Sequence, residues 1–403
     1  MKNLTKFNNI GEYNSEVGEE ILSQPNVSLI NNTGEVMFSN TLPPFEEQYL
    51  TFIPLQDGQF KFTANDDNSG ATISYSLDYG TTWTVLAFDT YTPTVEAGHK
   101  IYWKGEGFET KYYTPSVSYT YKRGIGHFAS TCDFDAEGDP ASLHYGDDFN
   151  KEVYYSQVKK WYKNYYSVWN YGFYGLFAHC NIVNARNIKL MGATNSDGLM
   201  FGLGMCCYQF MFGWCTKLVS APELPCLKTS TYCYANMFQA CSSLVTAPRI
   251  ASLNANDRPM SYAYNNMFDG CYLLSENIPT SLPYMWGKDG DTNSDACYAS
   301  MFHNCRAMTT APTLPSMQIP SNGYLGMFDG CTSLNYIKAM FVTPITSPKN
   351  DYTLNWVKNV SASGTFVKNS AATWNLVGCQ MDGNLGPYCS GIPSGWTVQT
   401  ASA

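Results

Sequence analysis

Charge is scarce in this sequence: only 14% of its 403 residues are Asp, Glu, Lys or Arg, and the formal net charge is −9. No Lys/Arg cluster occurs, so the basic stripe that neutralises phosphates is missing and no nucleic-acid partner is expected. No apolar run approaches the ~20 residues that span a bilayer, so membrane insertion is not expected either. The stretch Met1–Glu20 lacks the apolar core of a secretory signal, so, unless a signal has been trimmed, synthesis and folding in a cytoplasm are expected. Also absent are Cys-x-x-Cys pairs, zinc-type Cys/His spacing and a His-Glu-x-x-His motif. The five histidines, His99, His127, His144, His179 and His303, have no Ser or Cys partner in a recognisable motif. The expectation is a protein that is not an enzyme.

What the chain has in abundance is aromatic surface. Phe, Trp and Tyr make up 15%, with 30 Tyr among them, inside a hydrophobic total of 44%. Such a composition folds, and a surface poor in charge but rich in Tyr, Asn, Ser and Thr suits work by contact. The 14 cysteines, read against a reducing cytoplasm, are expected to be free thiols buried as small hydrophobes.

The pattern along the chain predicts a mainly β protein with short helices, in four parts. Residues 1–43 form an N-terminal attachment arm, with a short helix over 10–23 and a hairpin, Pro25–Ile30 and Glu35–Phe38, around Asn31-Asn-Thr-Gly34. Residues 44–122 read as a small β-sandwich of Ig-like type. Short runs such as Tyr49–Ile53, Gln59–Thr63, Ala71–Tyr75, Thr82–Leu86 and Lys100–Trp103 are punctuated there by Asp57-Gly58, Asp78-Tyr79-Gly80 and Ala97-Gly98. Residues 123–351 hold an internal repeat, and residues 352–403 are expected to cap it.

The repeat is carried by Leu176-Phe-Ala-His-Cys180, Met211-Phe-Gly-Trp-Cys215, Met237-Phe-Gln-Ala-Cys241, Met267-Phe-Asp-Gly-Cys271, Met301-Phe-His-Asn-Cys305 and Met327-Phe-Asp-Gly-Cys331. An aromatic stands three residues before each Met or Leu: Phe173, Tyr208, Tyr234, Tyr264, Tyr298 and Tyr324. An apolar residue stands three after each Cys, often followed by Ala-Pro, as at Ala221-Pro222 and Ala311-Pro312. Apolar positions at i, i+3, i+4 and i+7 predict one or two helical turns per copy, followed by an extended stretch up to the proline. A single copy cannot bury its apolar face, so the copies are expected to stack with like residues in columns. Cysteine is small enough for the tightest column; Cys207, Cys233 and Cys297 begin a second, partial one. The insertions, at about 226–232, 251–262, 280–296 and 316–322, should project along one edge.

The Met-Phe-x-x-Cys-x-x-Leu-x-x-Ala-Pro pattern resembles BspA-like leucine-rich repeats, with Met-Phe standing where that family commonly has Ala-Phe, over roughly residues 170–340. The copies at Cys271 and Cys331, which lack a following Ala-Pro, depart from the pattern, as degenerate capping units do. The segments Pro25–Ile30, Tyr75–Trp83, Ala141–Phe149, Asn355–Lys368 and Gly391–Val398 are similar to parts of multi-domain proteins of Bacteroides-group gut bacteria and their phages, including crAss-like phages. The resemblance implies a leucine-rich-repeat solenoid in a virion structural or adhesion protein: a head or tail fibre, or a capsid decoration. It implies other virion proteins as partners of the N-terminal arm, self-association into a homo-oligomer (a trimer being common in fibres), and a host-surface protein or glycan as the contacted target. A bacterial cell-surface BspA-like adhesin is the alternative, and a glycosidase the third reading.

Few motifs carry chemistry. Ser76-Leu-Asp78-Tyr-Gly80-Thr-Thr-Trp83 matches the Asp-box of sialidase-type propellers, but it occurs once, and Asp beside Gly is ordinary turn chemistry, so a structural hairpin turn is expected. Asp289-Gly-Asp291-Thr-Asn293-Ser-Asp295 alternates oxygen ligands as a calcium loop does, with Asp66 and Asp67 a fainter version. Ser294 and Ser300 stand where such a loop needs Gly and Glu, so no cofactor is expected beyond calcium at that loop. Tyr284 and Trp286 in the longest insertion, and Trp214 in a variable repeat position, are the candidate ligand-binding residues because exposed aromatics stack on sugars and partner surfaces.

Overall fold

The structure is a computed structural model and describes residues 27–30, 36–40, 48–65, 68, 70–108, 124–149, 152–155, 160–163, 170–190, 203–224, 229–250, 258–285, 294–383 and 385–401. The chain divides into two units after Gln48. In the first, β1 (Val27–Ile30) and β2 (Val36–Asn40) pair antiparallel with Leu29 opposite Phe38, as the hairpin pattern predicts. The helix expected over 10–23 lies outside the described residues.

The second unit starts with aromatic strands: β3 (Leu50–Pro54), β4 (Phe60–Ala64), β5 (Thr72–Ser76), β6 (Thr84–Leu86), β7 (Ile101–Glu106), β8 (Gly126–Ser130) and β9 (Phe134–Gly138). After these come the antiparallel pair β10 (Glu152–Tyr155) and β11 (Lys160–Lys163), then β12 (Ile182–Ile188). One six-stranded sheet runs β12-β9-β3-β7-β5-β6, and β4 pairs separately with β8. Phe52 sits where the layers meet, its ring 4.8 Å from Phe128 and Phe134 and 5.3 Å from Phe60.

This pairing crosses the boundary expected at 122/123. β8, β9 and β12 all come from beyond it, and β9 lies inside the sheet, parallel to β12. Alternation of apolar residues marks a strand but says nothing about its partner, and the strands before residue 108 need further strands to cover their inner face. A short helix, α1 (Ser142–Tyr145), is the only α-helix among the described residues. The Ser142 hydroxyl accepts the Leu50 N–H (3.1 Å) and donates to the Trp103 carbonyl (2.9 Å). It packs so closely on β7 that a Cβ at Gly105 would fall 2.1 Å from the Leu143 carbonyl oxygen.

The repeat copies stack, but they are not helical. In the second copy the N–H groups of Cys206, Tyr208, Phe210, Phe212 and Trp214 donate sideways to carbonyls of the third (Thr231, Cys233, Ala235, Met237 and Gln239). The intervening N–H groups of Gln209, Met211, Gly213 and Cys215 turn back to the carbonyl three residues earlier in their own copy. Turning every second amide toward the neighbour requires a left-handed residue every fourth position. These are Cys206, Phe210 and Trp214 here, then Tyr232, Asn236 and Ala240, then Tyr262, Asn266 and Gly270, with φ between 51° and 77°. The inward set at i, i+3, i+4 and i+7 is as predicted. The backbone that presents it is a laterally bonded coil, because an isolated helical turn holds few bonds and a shared ladder satisfies the rest.

Columns follow from this ladder. Tyr208, Tyr234, Tyr264, Tyr298 and Tyr324 are fully buried and stack with ring centroids 5.6–6.4 Å apart. Phe177, Phe212, Phe238, Phe268, Phe302 and Phe328 form a parallel column at 5.3–6.1 Å, which Phe128 of β8 joins at 6.0 Å. Each repeat cysteine donates its S–H to the Phe carbonyl of the preceding copy: Cys215 to Phe177 (2.9 Å), Cys241 to Phe212 (3.0 Å), Cys271 to Phe238 (3.1 Å), Cys305 to Phe268 (3.3 Å) and Cys331 to Phe302 (2.9 Å). Cysteine therefore supplies a donor as well as small volume. On the far side of each copy the extended stretches meet as parallel bridges, Asn184–Ser220–Thr246–Glu276 and Thr310–Tyr336. They widen into a three-stranded parallel sheet of β13 (Tyr336–Ala339), β14 (Thr365–Lys368) and β17 (Thr397–Thr400).

Residues 352–360 form a seventh coil. Phe328 N–H donates to Trp356 just as Phe302 N–H donates to Met327, so Thr353, Trp356, Val357 and Val360 occupy the Tyr, Met, Phe and Cys positions. The copy at Cys271 lies mid-stack, between those at Cys241 and Cys305, so its loss of Ala-Pro does not mark an end.

Truncating Cys271 to Ala should cost about 1–2 kcal/mol by loss of the S–H donor and a small void. The larger Cys271→Val should cost more, about 1–3 kcal/mol, by overfilling the column. Urea unfolding of the two variants checks the order, and a Val variant as stable as wild type would contradict it.

Candidate functional site

Because the interior columns use Tyr, Met, Phe and Cys alike in the five copies from Cys215 to Cys331, individuality lies in what each coil carries outward. The residue just before each repeat Cys is left-handed in all six copies (His179, Trp214, Ala240, Gly270, Asn304 and Gly330); His179 and Trp214 are exposed there, whereas Gly270 and Gly330 carry no side chain. Trp214 is 39% exposed and stacks on the exposed His179 at 5.0 Å and on Phe210 at 5.3 Å. Tyr174 extends the group, 5.7 Å from Phe210. Trp214 is thus at the surface as predicted, but in a shared aromatic row. The histidine at position 179, which has no motif partner in the sequence, belongs to the same row.

Tyr284 is 51% exposed, with the Arg258 guanidinium 5.6 Å from its ring centre. No ring contact joins it to Trp214 among the described residues. Trp286, Asp289, Asp291 and Asn293 lie outside the described residues; of the calcium-type loop Ser294 and Asp295 are described, the buried Ser294 hydroxyl donating to the Pro259 carbonyl and the Asp295 backbone carbonyl accepting the Tyr262 N–H at 2.9 Å as part of the lateral ladder. Among the described residues no three His, Cys, Asp or Glu side chains come together as a metal site.

A second outward row, two residues after Met, is polar from the copy at Met237 onward. Gln239 Nε2 donates to Asp269 Oδ2 (2.9 Å), and the other Asp269 oxygen meets His303 Nδ1 at 2.6 Å. Asp329 and Lys358 occupy the same row in the next two coils, with Asn359 donating to Asp329 at 3.2 Å. The hydrogen bond to Asp269 raises the His303 pKa above its ordinary 6.5, with the Asp329 charge adding to it and Lys358 opposing. The stabilisation from charged His303 is therefore fully present below about pH 6.5 and is lost as pH rises through the higher folded value. With the His303 side chain 35% exposed, solvent screening holds it to roughly 0.5 kcal/mol. An NMR titration should place the His303 midpoint above 6.5 and Asp269→Asn should lower it; a midpoint indifferent to that change would remove Asp269 as the cause.

The Asp-box segment is a turn. Ser76 Oγ accepts the N–H groups of Asp78 (3.2 Å) and Gly80 (2.9 Å), and Asp78 accepts the Thr82 N–H (2.8 Å) and hydroxyl (2.6 Å). Those bonds to Thr82 hold the Asp78 carboxyl down to about 2. Trp83 lies against Tyr49 at 4.9 Å, with Lys104 Nζ 4.4 Å from its ring centre. The side chains of Ser76, Asp78, Thr81 and Thr82 are all engaged in holding the hairpin.

The remaining reactive groups are buried in their neutral forms. Burial pushes the thiols up, Cys206 to about 11 and Cys215 to about 12, and pushes His144 down to about 4. A protonated thiol in a packed column is not a nucleophile. Eleven cysteines are free and buried, as expected; Cys379 and Cys389 depart from that expectation by forming a disulfide, and Cys226 lies outside the described residues.

No family model, curated protein or solved structure matches the chain.

Proposed function

We propose that the chain is a non-enzymatic display protein whose stacked copies form a BspA-like leucine-rich-repeat solenoid. In this reading it is a virion structural or adhesion component, a head or tail fibre or a capsid decoration, that contacts a host-surface protein or glycan. The observation that carries it is the division of labour in each copy. Tyr, Met, Phe and Cys are spent on continuous interior columns, while the left-handed position before Cys differs from copy to copy and carries the exposed side chains of His179 and Trp214. Such an array gives a rigid, extended contact face rather than an enclosed reactive centre. The N-terminal unit, with its hairpin, is the proposed attachment arm to other virion proteins, and the oligomer is proposed to be formed by copies of the same chain.

The test is binding of the full chain to Bacteroides-group cells and to purified surface glycans, with Trp214→Ala and Tyr284→Ala compared with wild type. Saturable binding that falls at least ~10-fold in one of them supports the reading, since loss of a hot-spot aromatic costs 2 kcal/mol or more. Immunogold labelling of phage particles places the protein on a virion. Labelling of the bacterial envelope instead would favour the cell-surface adhesin, and hydrolysis of the glycans would overturn the non-enzymatic reading.

A further inference from the structure

The two cysteines that pair as a disulfide sit at the C-terminal end of the stack. β15 (Gln380–Asp382) and β16 (Leu385–Tyr388) form an antiparallel hairpin with Gln380 opposite Tyr388, which brings the flanking Cys379 and Cys389 together as a disulfide. The two sulfurs sit in different surroundings. Cys389 is 3% exposed and belongs to a segment laid on the seventh coil: its N–H donates to Asn355 Oδ1 (3.0 Å), the Ser390 carbonyl accepts the Thr353 hydroxyl (2.8 Å), and the Gly391 carbonyl accepts the Trp356 indole N–H (2.9 Å). Cys379, in contrast, belongs to an exposed residue at the edge of the hairpin. A cavity of about 160 Å³ lies beside the bond, lined by both cysteines and by Val357, Ser361, Gly378 and Ser394.

We propose that Cys379–Cys389 is a thiol-exchange site, which takes a low-molecular-weight thiol of the glutathione class at Cys379 and acts as a reducible clamp on the end of the stack. The reagent's thiolate approaches through the cavity and attacks the Cys379 sulfur. A new S–S bond forms between reagent and Cys379, the Cys379–Cys389 bond breaks, and Cys389 leaves as a thiolate that takes up the proton shed by the reagent. A second thiol then attacks the reagent's sulfur in the mixed disulfide. This frees the Cys379 thiol and releases the reagent as its own disulfide, so two reagent thiols are oxidised and one protein disulfide is reduced. Attack falls on Cys379 because access governs which sulfur of a disulfide is reached. The eleven buried thiols stay out of the exchange, being enclosed in packed interior positions. Reduction opens the loop from 379 to 389 and loosens the closing segment 389–392, where the stack would otherwise fray. The inference is independent of what the outer face contacts.

The experiment uses the full chain in glutathione buffers of graded redox ratio, trapped with iodoacetamide under native conditions and read by peptide mass spectrometry. The oxidised protein should yield a cross-linked peptide joining 379 and 389. Addition of reduced glutathione should place the glutathione adduct on Cys379 first and then alkylate both residues, with Cys215, Cys241, Cys271, Cys305 and Cys331 labelled at least ~10-fold more slowly. Reduction should lower Tm by about 5 °C, and the double variant Cys379→Ser/Cys389→Ser should show the lowered Tm without any response to glutathione. The proposal is overturned by absence of the cross-linked peptide, by an adduct on Cys389 or the column cysteines in place of Cys379, or by a double variant that melts with the oxidised protein.

Discussion

Phe268→Ala should cost about 4 kcal/mol and break the stack into two parts that no longer unfold together. Phe268 is fully buried in the middle of the column, 5.7 Å from Phe238 and 5.5 Å from Phe302, both nearly parallel to it. Truncating a buried Phe costs about 3–5 kcal/mol from lost transfer energy and the void left behind, and ring contacts of this kind contribute about 0.5–1.5 kcal/mol beyond area. The backbone bonds of the residue survive the change, since its N–H still meets the Met301 carbonyl and its carbonyl still accepts from Cys271 and Cys305. The loss is therefore one of coupling between coils. In a stacked array stability is approximately a sum of unit and nearest-neighbour terms, so a weak junction in the middle should broaden the urea transition or divide it in two. Phe328→Ala, one junction from the seventh coil, should lower the midpoint without dividing the transition. A single sharp transition for Phe268→Ala, displaced by less than about 1 kcal/mol, would show that the aromatic column does not couple the copies.

Asp139→Asn should stabilise the protein at pH 8 by roughly 2–4 kcal/mol and do little at pH 4. Asp139 is 2% exposed, and its carboxylate accepts the Ala141 N–H at 2.8 Å ahead of α1. Burial pushes its pKa up to about 7, against an opposing effect of that N–H and of the Lys189 charge. In the unfolded chain an Asp titrates near 3.9. The folded state therefore holds a proton that the unfolded state has already released, and the stability this contributes is complete below about pH 4 and is lost as pH rises through about 7. Three pKa units correspond to about 4 kcal/mol, the upper end of the expected gain. Asparagine keeps the acceptor for Ala141 without the charge. Thermal melts of both proteins from pH 4 to pH 8 check this: the gap should open with rising pH. A gap that is flat across the range would mean that folding does not raise the Asp139 pKa.

The interior of the repeat was legible because side-chain identity recurs where packing is tightest. Tyr, Met, Phe and Cys are all buried at the positions their spacing picked out. The backbone that holds them was misread as helical, since a coil with a left-handed residue every fourth position places the same i, i+3, i+4 and i+7 set inward. A signal for it was present: half of those left-handed positions are Gly or Asn, among them Gly175, Asn236, Asn266, Gly270, Asn304 and Gly330. These are the residues that adopt positive φ at least cost. The seventh coil escaped notice because Thr353, Trp356, Val357 and Val360 keep the shape of the pattern and none of its letters.

Among the candidate site residues, Trp214 could be placed at the surface because its position varies from copy to copy. Its stacking on His179 could not be foreseen, because lateral register brings together residues 35 apart in the chain, which local spacing does not encode. The same holds for Asp269 and His303, each unremarkable alone.

The sequence by itself determined that copies of one unit must stack on a column of small thiols and large rings, because no single copy can bury its apolar face. Tertiary structure alone decided the rest. It drew β9 and β12 into the N-terminal sheet, gave the repeat thiols from Cys215 to Cys331 a carbonyl in the preceding coil, raised Asp139 by burial and joined Cys379 to Cys389. Each of these depends on which segments meet through space, and the energy of a hydrogen bond, a buried charge or a disulfide is set by that meeting and not by neighbours along the chain.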